Sequence, residues 1–322
     1  MASAAGAVAT SPKSCQGRGV ETADSMGERQ SMRITRYGLL ATLVAGWSSL
    51  PCGPVWAQPH PPEASPADRI AQIVASPSRS AADLANDLRR KPAPMLAFID
   101  LKPGMVALDL SAAGGYTTEL LARGIGPGGT VYGQSPPPRA PGTAAPAPAA
   151  PEGNSNPTLV LQAPPTGVPR PSPAALADRE AKLQAAGVAA ARIVPVVRPF
   201  EDPIPPELAD GRLDLVTLMF NYHDLGHLGV DRAAMDRAVF RALKPGGDFV
   251  IADHAGRPGT GISESGTMHR IEEAFLVKEL EVAGFKLQAE ADFLRNPNDP
   301  RDHNTPDPPQ PKDEFVLKFV KP

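Results

Sequence analysis

From Ala81 onwards, short apolar runs of strand length alternate with stretches whose apolar residues recur at helical spacing. Ala81–Arg90 and 94–100 read as two short helices, broken by Pro92 and Pro94. Val106–Leu110 is the first compact apolar strand. It ends in a Gly-containing turn, and a helix over 116–123 follows, terminated by Gly124 and the glycines at 126, 128 and 129. The residues 130–134 form the next strand, 174–186 an Ala-rich helix, and 193–197 and 213–220 two further strands. Over 231–243, Met235, Ala238, Val239, Ala242 and Leu243 repeat at i, i+3, i+4, i+7 and i+8, which makes one buried helical stripe. Lys244-Pro245-Gly246-Gly247 turns the chain into a strand over 248–253. A last helix over 269–283 stops at Gly284, and strands over 285–292 and 315–321 close the chain.

Strands alternating with helices imply an α/β fold, a doubly wound and mostly parallel sheet with helices on both faces. The terminal hairpin-like pair adds an antiparallel C-terminal edge strand. In such sheets ligands sit beyond the carboxyl ends of the strands, so polar residues at those ends are the first candidates for chemistry.

Composition places the remainder. The 39 prolines of the 322-residue chain fall mostly outside these elements. Residues 58–80 read as a Pro-rich linker, and 135–173, rich in Pro and Ala, as a disordered surface insertion in a domain spanning 81–322. Residues 1–57 read as a polar leader followed by a signal peptide. Arg33 and Arg36 precede an apolar core over 37–50, and Val55-Trp56-Ala57 offers a cleavage site before Gln58. The run is too short and interrupted to span a membrane, so the expectation is an exported, periplasmic protein without membrane insertion after cleavage. The polar stretch ahead of that signal suggests that translation starts at Met26 or Met32. Both cysteines, Cys15 and Cys52, lie in the discarded part, which excludes disulfides and thiol chemistry from the mature chain. A net charge of -3 with no basic block, and 5% aromatic residues, exclude nucleic acid as a partner. A small-molecule substrate remains; oligomeric state is not legible.

Three strand ends carry the candidate chemistry. The first is Asp109-Leu110-Ser111-Ala112-Ala113-Gly114-Gly115-Tyr116, an acidic residue followed by small residues at a helix start, where a ligand can approach the backbone. The second is Asn221-Tyr222-His223-Asp224 and the third Asp253-His254, both ending apolar strands. Their shared placement points to two histidines and two carboxylates facing one crevice. Adjacent strand residues point to opposite faces, so each histidine is expected to find a different carboxylate partner.

Leu101-Lys102-Pro103-Gly104-Met105 before the first strand and Leu243-Lys244-Pro245-Gly246-Gly247 before the fifth resemble the corresponding tracts of class I S-adenosylmethionine-dependent methyltransferases. The chain is most similar to an exported bacterial group of this superfamily, through 221–224, Asp253-His254, 258–261, His269-Arg270-Ile271 and Arg295-Asn296-Pro297 with Asp299, Arg301 and Asp302. The resemblance implies S-adenosyl-L-methionine as cofactor. Asp109, Ser111, Ala112, Ala113, Gly114 and Gly115 would line its methionine end and ribose, Glu201 or Asp202 would face its adenine amino group, and Asn221, Tyr222 and His223 would border the reacting methyl. Two departures stand out. Positions 111 and 113 hold Ser and Ala instead of Gly, and the acidic residue expected to grip the ribose hydroxyls is replaced by Gln134, which loses the charge-assisted part of such a bond. For hydroxyl or amine acceptors a base is needed, and His223 or His254 is the candidate, oriented by Asp224 or Asp253, with His269 as a third group near the acceptor. Two alternatives stay open. One is a non-catalytic small-molecule binding protein on the same fold. The other is a metal-assisted enzyme using His223, Asp224, His227 and His254, although Gly226 and Gly229 favour a loop there and the site residues as read include no metal ligand.

Overall fold

The structure, a computed structural model, describes residues 65–138, 171–304, 306 and 310–322. The leader, the signal and most of the insertion lie outside the described residues. In chain order the strands are β1 (Val106–Leu110), β2 (Thr130–Ser135), β3 (Arg192–Val197), β4 (Leu213–Met219), β5 (Leu243–His254), β6 (Lys286–Ala291) and β7 (Glu314–Val320). The helices are α1 (Pro66–Val74), α2 (Ala81–Arg90), α3 (Pro92–Ile99), α4 (Tyr116–Ile125), α5 (Ser172–Ala185), α6 (Asp224–His227), α7 (Arg232–Ala242), α8 (Ser265–Met268) and α9 (Glu273–Val282).

Period-two alternation along the strands dictates the layers. Leu108, Leu110, Val216, Leu218, Phe249 and Ile251 pack on one face against Met235 and Val239 of α7 and Leu276 and Leu280 of α9. The intervening Ala107, Leu215, Val250 and Ala252 pack on the other, against Met95 and Ile99 of α3, Leu121 and Ile125 of α4, and Leu176 and Leu183 of α5. Each fully buried aliphatic or aromatic side chain contributes ~1.5–3 kcal/mol, so the two cores hold the doubly wound sheet between them.

The strand order is β3-β2-β1-β4-β5-β7-β6. Strands β1 to β5 pair in parallel, and β7 runs antiparallel to both β5 and β6. This α/β arrangement is the Rossmann-like one that the family resemblance implies. The antiparallel strand is inserted between β5 and β6, not set at the edge. The reason is in the side chains: Phe315, Val316, Leu317 and Phe319 are fully buried on both faces. In β6, by contrast, exposed and half-buried residues alternate, as suits an edge.

Other boundaries also shift. Part of the expected linker is α1, for which the Oγ of Ser65 caps the N–H of Asp68 at 3.1 Å, and Pro66 takes the first helical position, where no N–H is needed. The same tolerance lets α3 begin at Pro92 and include Pro94. Ser135 belongs to β2, and Ser172 and Pro173 to α5, so the insertion is shorter than composition suggests. Residues 244–247, expected as a turn, join β5 through a register shift against β4. The helix expected over 269–283 starts at Glu273, with α8 as a separate turn before it.

Candidate active site

The carboxyl ends of β1, β4 and β5 meet in one crevice whose backbone is strained. Ser111 (φ 56°), Ala113 (46°), Phe220 (61°) and His269 (51°) all take left-handed conformations, as does Gly115 (79°). For a non-glycine residue this costs ~1–2 kcal/mol, and such strain concentrates where a site needs a particular backbone path. Ser111 and Ala113 therefore follow the route that glycine would take at those positions. Gly115 has no such freedom to change, because a Cβ there would stand 2.6 Å from Leu176 Cδ2.

Two residues expected at the cofactor, Asp109 and Gln134, hold this turn. Both carboxylate oxygens of Asp109 accept hydroxyl bonds, from Thr118 at 2.6 Å and Thr217 at 2.8 Å. Burial pushes its carboxyl up to about 6, although those hydroxyls pull the other way. The Oε1 of fully buried Gln134 accepts from the Ser111 N–H at 3.0 Å, while its amide donates to the Arg198 carbonyl at 2.7 Å. The Gln134 amide thus ties β2 to the turn and to the residue after β3. Ala113 and Gly114 stay exposed, and no heavy atom of the described residues lies within 4 Å of a Cβ built on Gly114.

From Ser111 a chain of polar contacts crosses the crevice. Its hydroxyl donates to Asn221 Oδ1 at 2.6 Å, and the Asn221 amide donates to Asp224 Oδ2 at 2.7 Å. Asp224 Oδ1 lies 3.1 Å from His223 Nε2, 3.1 Å from His269 Nδ1 and 3.8 Å from His227 Nδ1. On its far side, His223 Nδ1 meets Asp253 Oδ1 at 2.6 Å, and the same carboxylate accepts the backbone N–H of His223 at 2.8 Å and of His254 at 2.7 Å.

The two histidines do not have separate carboxylates, as alternation along a strand would suggest. His223 takes both, because the segment after β4 is helical and swings its ring between Asp224 and Asp253. That helical turn replaces the loop expected from Gly226 and Gly229. Gly226 serves close packing there, where a Cβ would meet Ile262 at 2.6 Å and Ser265 Oγ at 2.9 Å. Burial alone would lower the His223 pKa, but Asp253 and Asp224 outweigh it and push it up to about 10. Burial likewise works against the charge on Asp224, yet its bonds to His223 and His269 hold the carboxyl well below its ordinary range.

His254 is different. Its ring lies 5.2 Å from that of His223 and 5.7 Å from Phe220, fully buried. Its Nδ1 is 3.0 Å from Glu314 Oε1 but off hydrogen-bond geometry, and Glu314 also pairs with Arg89 at 3.2 Å. Burial, then the neighbouring cations Lys312, His223, Arg89 and Arg270, hold the His254 pKa well below the usual value. Neither His223 nor His254 faces an open surface. The charged and imidazole groups of the cluster that reach solvent are His227, Asp224 and His269, with side chains 19%, 16% and 13% exposed.

Tyr222, placed at the cofactor by sequence, turns its side chain the other way. Its hydroxyl donates to Asp236 at 2.9 Å and reaches Glu279 at 3.1 Å, inside the core under α7 and α9. Glu201 and Asp202 are exposed past β3, and Asp202 is paired with Arg198.

Sequence reasoning found Arg270, Asp299 and Arg301 only as part of the family resemblance and missed that they position His269. Arg270 is fully buried, donates to the Ala255 carbonyl at 3.0 Å and pairs with Asp299 at 2.9 Å. Ile271 bridges Ala255 beside the end of β5, and Gly256 permits it, since a Cβ there would stand 2.9 Å from the Ile271 carbonyl carbon. The tract containing Arg270, Asp299 and Arg301 is therefore a clamp that brings His269 to Asp224. Ser265 adds a second brace, donating to the His223 carbonyl at 2.5 Å and accepting the His227 N–H at 2.9 Å.

No protein-family model matches the chain, and neither does any curated protein. Similar solved structures include an S-adenosylmethionine-dependent methyltransferase from Aquifex aeolicus, 16% identical, covering 81% of this chain and 100% of that one at a TM-score of 0.45. A TehB-like methyltransferase from Corynebacterium glutamicum is 14% identical, covering 75% and 97% at a TM-score of 0.39. An arsenic(III) S-adenosylmethionine methyltransferase from Chlamydomonas reinhardtii is also 14% identical, covering 68% and 64% at 0.41.

Proposed function

We propose that the chain transfers a methyl group from S-adenosylmethionine to a small-molecule acceptor in the crevice at the ends of β1, β4 and β5. The observation that carries this reading is the unbroken chain of contacts Ser111–Asn221–Asp224–His223–Asp253, which joins a cofactor-type turn to a cluster of proton-handling groups. The turn suits the cofactor in shape. Ala113 and Gly114 are exposed and the space beside Gly114 is open, although its carbonyl already accepts from Arg179 Nε, so a ligand can rest against this stretch with Ser111 and Asn221 at its edge. Glu201 or Asp202 would face the adenine amino group. When bound, S-adenosylmethionine supplies an electrophilic methyl on sulfonium sulfur. The protein's own work is to hold the acceptor in line and to take up its proton. His269 is the group placed to take that proton, with Asp224, whose carboxyl is held well below its ordinary range, beside it as charged partner and His223 and Asp253 bracing them from behind.

A specific observation favours a second reading, a binding protein on this fold. Asp109 and Gln134 spend their polar atoms inside the protein, which leaves the ribose without a charged partner from β1 or β2. Calorimetric titration separates the two readings. Saturable S-adenosylmethionine binding below millimolar concentration is expected, weakened roughly tenfold or more in Asn221→Ala by loss of a bridging hydrogen bond. Absence of binding at millimolar cofactor would leave the second reading standing.

Among the described residues no helix is long and apolar enough to cross a membrane. Export is proposed on the strength of the leader. Periplasmic protein beginning at Gln58 is the expected finding, and a cytosolic protein that retains its leader would overturn it.

A further inference from the structure

The contacts around Asp224 have a feature that methyl transfer does not require. One carboxylate oxygen, Asp224 Oδ1, has two imidazole nitrogens at 3.1 Å and a third at 3.8 Å. The other oxygen is already engaged by Asn221 at 2.7 Å. The ring of His223 stands between two carboxylates, with Nδ1 2.6 Å from Asp253 Oδ1 and Nε2 3.1 Å from Asp224 Oδ1. A divalent cation at Nε2 would take the place of the proton that the two carboxylates otherwise hold on that nitrogen. His269 brings a second nitrogen to the same point. One donor atom from each of His223, Asp224 and His269 lies within 4.8 Å of the other two. Zinc binds imidazole nitrogen at ~2.0–2.1 Å, so two donors on one tetrahedral ion stand roughly 3.3 Å apart, close to the 3.1 Å that separates Asp224 Oδ1 from each of the two nitrogens.

We propose that His223 Nε2, Asp224 and His269 hold one divalent transition-metal ion of the zinc class, with His227 beside it as a reserve ligand. Two imidazoles and one carboxylate form a donor set that suits zinc and its neighbours, not calcium or magnesium. Asp253 is the outer partner that fixes the ring of His223, the arrangement by which ligating histidines are usually oriented. The Arg270–Asp299 clamp and the left-handed His269 backbone are then the means of presenting the third ligand. With Asp224 and His269 reaching the surface, the ion keeps an open position, as a site that binds a substrate atom does and a purely structural site does not. Metal binding stands independently of methyl transfer. Where both operate, the ion would hold an oxygen or sulfur of the acceptor and ease loss of its proton.

The test uses the untagged full-length chain, stripped of metal and then titrated calorimetrically with zinc, with cobalt(II) absorption reporting coordination. One equivalent of zinc is expected, with at least tenfold weaker binding in Asp224→Asn and His269→Gln, and ~10–100-fold weaker in Asp253→Asn. His303→Gln, an exposed histidine paired with Asp302 outside the cluster, should bind like wild type. Should a variant at a buried position fail to fold, His269→Gln decides, since its half-buried position is tolerant of change and its metal-free melting curve checks the fold. No uptake at millimolar zinc, or uptake that His269→Gln and Asp224→Asn leave unchanged, overturns the proposal. No cofactor enters the experiment, so its failure and the failure of the methyl-transfer reading are told apart.

Discussion

The two rims of the crevice are built on opposite principles. The β1 rim, Ser111 to Gly115, works through main-chain shape: small residues, left-handed backbone, and buried polar groups that spend themselves on holding the turn. On the β4–β5 rim the work is done by charge, with His223, Asp224, Asp253 and His269 joined side chain to side chain. The contrast separates a rim defined by main-chain shape from one defined by charge pairing; under the proposed function the first would seat a ligand and the second act on it. Substitutions should expose the difference, because they break shape on one side and charge pairing on the other.

The largest effect belongs to Asp253. It is fully buried and accepts from two backbone N–H groups and one imidazole, so Asp253→Ala strands three donors and a charged ring. A loss of ~3–5 kcal/mol is expected in denaturant unfolding. Stability near that of wild type would show that the charge-built rim is not braced from behind. On the shape-built rim, Gly115→Ala forces a Cβ into Leu176 and Arg179 at a φ of 79°. About 2–3 kcal/mol of destabilisation should follow. An effect within a few tenths would mean that α5 yields easily and does not define the turn.

Asp109 sharpens the comparison through pH. Its folded carboxyl is raised to about 6 from 3.8, so the native state holds more protons than the unfolded chain between those values. Its contribution to stability is therefore full below about 4 and is lost as pH rises through about 6. Comparing unfolding at pH 4 and 7, wild type should lose on the order of 1–3 kcal/mol more than Asp109→Asn. Equal losses in the two proteins would place the carboxylate in a wetter setting. The smallest effect is Ala113→Gly. Ala113 is exposed at a φ of 46°, so glycine relieves backbone strain there while adding unfolded-state entropy. A gain of about 0–1 kcal/mol is expected, against the loss that the same change causes in ordinary helix or strand. A clear loss in thermal melting would show that the left-handed turn is not strained.

Much of the fold was legible because its signals are local. Apolar runs bounded by turn residues located the strands, and the stripe of Met235, Ala238, Val239 and Ala242 located α7. The all-apolar face of β7, set beside the alternation of β6, also carried the information that β7 is interior, but the chain order of a hairpin obscured it. The candidate residues at strand ends were legible as positions and not as orientations. Nothing local says that Tyr222 turns into the core to meet Asp236 and Glu279, or that Gln134 points back at Ser111. The clamp on His269 joins Arg270 to Asp299 and the 269–271 segment to the end of β5, and pairings of that range leave no periodic trace.

The central claim is that a cofactor rests across the two rims, and hydrogen exchange with and without S-adenosylmethionine tests it most directly. Cofactor should slow exchange of backbone amides over 110–116 and 219–224 together, since the ligand would lie on the first segment and border the second. Another opening lies close by, a cavity of about 430 Å³ lined by Arg123, Arg179 and Lys182 beneath Gly114, and it offers the competing outcome. Protection confined to α4 and α5 around that cavity, or no protection at saturating cofactor, would contradict the account.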